Sequence, residues 1–164
     1  MFDNSHNRIV AGLMVCVLFT GCDTYEPDWG NQKLHAAISA LSPSDIRAAT
    51  VELDVSPREP HAFAPEHIPE TLERVRRLQS APDIGLVGPW DGWVILRIDA
   101  GGKGKFKLEI ATRESLAGKP IVILREDTPG GGIGFYDGEA FWNWFARLPE
   151  VEALGFPPEG ANGY

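Results

Sequence analysis

The sequence predicts an α+β domain: N-terminal helices plus a small, mainly antiparallel sheet closed by a C-terminal aromatic helix. Three observations carry this. Apolar residues recur at helical spacing in "KLHAAISAL" and again in "PETLERVRRLQ". Two alternating apolar–polar runs, "WVILRID" and "KFKLEIAT", flank the turn "AGGKGK". Near the C-terminus Phe141, Trp144, Phe145 and Leu148 fall within an arc of about 100°.

The elements follow in order. From Lys33, the first helix puts Leu34, Ile38 and Leu41 on one face, with His35 beside it as a partly buried packing residue. "SPSD" offers Ser42 as a cap, Pro43 at the first helical position and Asp45 three residues after the cap, so a second short helix starts there. "TVELDV" alternates Val51, Leu53 and Val55 against Glu52 and Asp54, as a half-buried strand does. The prolines at 57, 60, 65 and 69 argue against regular structure until the next helix, which turns Ile68, Leu72, Val75 and Leu78 inward. In the hairpin's second strand Phe106, Leu108 and Ile110 face one way and Lys105, Lys107 and Glu109 the other. "PIVILRE" is apolar on both faces and reads as a central strand covered on two sides. "DTPGGGIGFYDG" reads as a glycine-rich loop, with Asp137 capping the last helix.

The first residues set the compartment. Arg8 and the amino terminus outweigh Asp3, and residues 9–19 carry no charged or polar side chain. A membrane-spanning helix needs about 20 apolar residues, so this run fits the apolar segment of a secretory leader instead. It ends on "LFTGC". That stretch resembles the lipobox of bacterial lipoproteins, in which small residues precede an invariant cysteine; Phe19 stands where the family most often has leucine. The resemblance implies that the Cys22 thiol receives a diacylglyceryl group, that the Gly21–Cys22 bond is cut, and that the new amino terminus is acylated. It covers the first 22 residues only. The chain would then divide into a leader over 1–21, the lipidated cysteine with a short tether over 22–32, and one globular domain over 33–164. The cysteine count agrees, because Cys16 leaves with the leader and Cys22 has no disulfide partner. Fully extended, residues 23–32 reach about 35 Å, which keeps the domain close to the membrane.

Removing the leader leaves 143 residues and a net charge of −8. A chain of about 150 residues buries about 68–70% of its unfolded surface, enough for a single real core. Nucleic acid is a poor partner for an acidic domain, since phosphate contacts need clustered Lys or Arg. Neither "PGGGIG" nor "GGKGKF" has the spacing of a nucleotide-binding loop, so no nucleotide and no cofactor are expected. His61 and His67, with Glu59, Glu66 and Glu70, crowd "REPHAFAPEHIPE". Six residues apart in a non-helical stretch, the histidines enforce no shared face, and the segment reads as an acidic solvated loop rather than a metal site. No serine sits in a nucleophile elbow.

Tryptophans are the better clue to function. Trp90 and Trp93 flank the turn dipeptide "DG", and Trp142 lies about 100° from the centre of the last helix's apolar arc. Rings exposed there would stack on a sugar or anchor a protein, although all three also fit a core and a hairpin clamp. The expected function is a non-catalytic binding module on a lipid anchor in the bacterial cell envelope, with an envelope protein or a glycan as partner. Two alternatives stand beside it. One is an envelope hydrolase using paired carboxylates among Asp91, Asp127, Asp137 and Glu139, which requires a separation of about 5–10 Å. The other is an immunity-type inhibitor whose acidic patch meets a basic toxin.

Overall fold

The computed structural model describes residues 30–54, 59–81, 93–111 and 120–155. Gly30, the first described residue, is buried. Asn31 adopts a left-handed backbone (φ 40°), which asparagine tolerates because its short side chain bonds locally. Its Oδ1 accepts from Leu34 N at 3.1 Å and caps α1 (Gln32–Ser39), while Nδ2 donates to Ile133 O at 3.2 Å. Leu34 and Ile38 are the buried face of α1, and Leu41 is buried just past its end. The carbonyls at that end are met by an arginine: Arg76 Nε donates to Ser39 O at 2.9 Å and Nη2 to Leu41 O at 2.7 Å.

"SPSD" makes a single 3₁₀ turn over Pro43–Asp45 rather than a full helix. Ser42 N and Oγ both donate to Asp45 Oδ2 at 2.8 Å. The turn stops because Ile46 is already extended and leads straight into the sheet.

That sheet has six strands, all antiparallel and open: β1 (Ala48–Leu53), β2 (His61–Ala62), β3 (Trp93–Asp99), β4 (Lys105–Ala111), β5 (Ile121–Glu126) and β6 (Ile133–Asp137), in the order β2-β1-β3-β4-β5-β6. The hairpin β3–β4 pairs Ile98 with Phe106 across a turn in which Gly101 (φ 58°) and Gly104 (φ 120°) take backbone angles that favour glycine. Two strands differ from expectation. β6 runs through the stretch read as a loop, and β2 is a two-residue pairing inside the proline-rich segment. β5 is an interior strand covered on both faces, as expected, and lies next to the β6 edge.

Helices α2 (Ile68–Arg76), α3 (Glu139–Phe145) and α4 (Pro149–Glu152) complete the fold together with α1. Val94, Leu96, Phe106, Leu108, Val122 and Leu124 meet Ile38, Leu72, Val75, Phe141 and Phe145 in one core, so the aromatic helix packs on the sheet as expected. Asp137 does not occupy the cap position, which belongs to Gly138; its Oδ1 accepts instead from Glu139 N at 3.0 Å. A void of about 10 Å³ remains between Phe63, Ile68, Leu72, Leu96 and Ile98. It is apolar-lined, and so offers a water no hydrogen-bond partners and a ligand no room.

Candidate functional site

Of the residues singled out in the sequence, Gly21, Cys22, Trp90 and Asp91 lie outside the described residues. Trp93 opens β3 in register with Ala111. Trp142 is 6% exposed and belongs to the core, so it is not an exposed platform for stacking. The arc drawn around Phe141 is too narrow a guide here. Val151 on α4 and Leu154 just after it join the same cluster, and the buried sector of α3 widens to take in position 142.

Trp144, expected in the core, is the half-buried ring of that helix. The Arg74 guanidinium carbon lies 4.8 Å from its ring centroid, and Arg74 Nε stands 2.8 Å from Glu70 Oε1. The carboxylate orients the arginine and the arginine covers the indole.

Of the carboxylates proposed for hydrolysis, Asp127 and Asp137 are not brought together. Asp137 pairs with Ile121 at one end of the β5–β6 hairpin and Asp127 follows Glu126 at the other. Six strand residues separate those ends, about 20 Å at a strand's rise, far beyond the one-water geometry. Asp127 Oδ2 is moreover engaged by Arg97 Nη1 at 2.9 Å.

In the histidine-rich segment, His61 pairs in register with Val51, and His67 Nδ1 lies 2.8 Å from Glu150 Oε1. The same oxygen accepts from Ala64 N at 3.2 Å. Burial pushes the Glu150 carboxyl up, but the hydrogen bonds from His67, from the residue's own N–H and from Ala64 outweigh it and hold it below the usual value. This links α4 to the turn that starts α2. Nothing at sequence level pointed to Glu150, 83 positions from its partner. Among the described residues no group of three or more His, Cys, Asp or Glu side chains is placed to hold a metal ion.

The sheet's other face carries a feature that the sequence showed only as alternation. Phe106, Leu108 and Ile110 point into the core, so Lys107 and Glu109 point away from it, beside Arg97 on β3 and Arg125 on β5. Arg97, Lys107 and Arg125 stand opposite one another across three adjacent strands, a like-charge row that would destabilise the sheet unaided. Carboxylates interleave it. Glu109 takes Lys107 Nζ at 2.6 Å on one oxygen and Arg125 Nε at 2.8 Å on the other. Glu52 takes Arg97 Nε at 2.8 Å. Burial pulls the Arg97 pKa down, but Glu52 and Asp127 more than offset it and hold the guanidinium firmly charged. Beyond this lattice the same face turns apolar, with Ile95, Ala111, Ile121 and Ile123 buried and Phe135 packed against them.

No protein-family model, no curated protein and no solved structure matches the chain.

Proposed function

We propose that the chain is a lipid-anchored lipoprotein of the bacterial cell envelope whose domain acts by binding, with a protein as first partner and a cell-wall glycan as second. The observation that carries this is Cys22 in "LFTGC", the one cysteine that removal of the leader would leave. Two acyl chains at that position would hold stably where one holds marginally, since each buried methylene contributes about 0.8 kcal/mol.

Binding rather than catalysis is supported by what the described residues do with their reactive groups. Asp127 is tied to Arg97, Asp137 to the start of α3, and His67 to Glu150. Partner recognition is assigned to a surface and not a cleft, with Trp90 and Trp93 as its aromatic candidates.

Two measurements test the reading. Mass spectrometry of the mature amino terminus should find Cys22 bearing lipid; an unmodified terminus at another residue ends the lipoprotein claim. Crosslinking in intact cells should capture a partner, and capture should weaken in Trp90→Ala and Trp93→Ala. Undiminished capture in both variants removes the aromatic surface from the proposal.

A further inference from the structure

The fold fixes where the tether attaches. Gly30 packs against the β6 edge, where a β-carbon on it would lie 3.0 Å from Ser80 Cβ and where its carbonyl oxygen lies against Gly134. Ser80 bridges to Tyr136, and Ala81 N donates to Phe135 O at 3.1 Å, so residues 79–81 line the outer side of β6. Asn31 then pins the chain by its bond to Ile133 O. The chain therefore joins the domain at one extreme of the sheet, with β2 at the other. Five inter-strand spacings of about 4.8 Å put the two edges about 24 Å apart.

Resting on the lipid-anchor reading, we infer that the β6 edge faces the lipid headgroups and the β2 edge faces away from the membrane. Only seven residues lie between Cys22 and Gly30, and whatever their conformation the eight steps span at most about 29 Å. With the β2 edge against the leaflet, Gly30 would stand about 24 Å above it before the side chains of that edge are counted, so the linking segment would have to run almost fully extended. With the β6 edge toward the leaflet no such demand arises. Lys33 and Gln79, both exposed, then lie near the headgroups. Ala62, exposed on β2, and Glu66, exposed before α2, lie on the outward side.

The test uses the lipidated full-length protein in phosphatidylcholine–phosphatidylglycerol vesicles that contain a lipid with a nitroxide on its headgroup. Because lipid occupies the Cys22 thiol, a single introduced cysteine takes the fluorophore, at Lys33→Cys, Gln79→Cys or Ala62→Cys. Quenching should be several-fold stronger at 33 and 79 than at 62. Equal or reversed quenching in protein that still sediments with the vesicles overturns the orientation and leaves the anchor standing. Protein that does not sediment overturns the anchor reading itself, and the orientation with it.

Discussion

Gly134 faces Gly30 so closely that a β-carbon would sit 2.6 Å from Gly30 O, a backbone atom with little freedom to retreat. Gly134→Ala should therefore cost about 1–3 kcal/mol in denaturant unfolding, as other overpacked sites do. Gly102 supplies the contrast, since nothing lies within 4 Å of the same added atom. Gly102→Ala should stay within about 0.5 kcal/mol of the parent. If the two variants unfold together, the close packing of residue 30 against β6 is wrong. The tryptophans of α3 divide in a similar way. Trp142 is buried in the main cluster, and Trp142→Ala should cost about 3–5 kcal/mol. Trp144 is half-buried under Arg74, so Trp144→Ala should cost clearly less, and Arg74→Ala should shift its fluorescence while leaving Trp142 unaffected.

At the scale of elements, the pair His67–Glu150 joins α4 to the start of α2, and its pH dependence has a definite sign. The folded carboxyl titrates below its usual value of 4.5, so its contribution to stability is present above that pH and lost as pH falls through the folded value. Glu150→Gln should flatten the acid limb of the stability curve measured by urea unfolding between about pH 5 and 3; an unchanged slope there would show that the pair contributes nothing. Asp45 titrates at about 2, held down by Lys103 and by Ser42, and it adds to the same limb. On the sheet, Glu109 is the anion between Lys107 and Arg125. Glu109→Ala should destabilise by about 1–3 kcal/mol, and added salt should restore part of the loss by screening the half-buried cations left without it. These elements were unequally legible in the sequence. The long ones stand out: α1, α2, β3 and β4 because one face of each is apolar at the right period, and β5 because its run is apolar on both faces. β6 was hidden because Gly134 interrupts its alternation inside a glycine-rich run, and glycine is needed there for a contact with residue 30 that lies far away in sequence. β2 was hidden because two residues between prolines have no period to read. The charge lattice was visible as alternating lysines and glutamates, but the pairing that makes it a lattice comes from strand register. Trp142 was misplaced for a comparable reason, because a short helix met on two flanks has a wider buried sector than a single arc describes.

For the whole molecule, the proposed lipid anchor implies that anchor and fold are separable. The described core is built from residues 34–154. On the proposed reading, lipid on Cys22 would add membrane affinity without adding a packed contact to that core. Cys22→Ser should therefore unfold at the same denaturant midpoint as the lipidated chain, with the same slope, because the apolar surface exposed on unfolding is unchanged. Its partition should change by orders of magnitude: the parent should sediment with vesicles and Cys22→Ser should stay in the supernatant, since each methylene withdrawn from water contributes about 0.8 kcal/mol and two chains carry many. The two readouts separate the explanations. A lowered midpoint with retained sedimentation would mean that Cys22 packs into the fold as an ordinary buried thiol and that something else holds the protein to the membrane. An unchanged midpoint with lost sedimentation is what a lipid-borne domain requires.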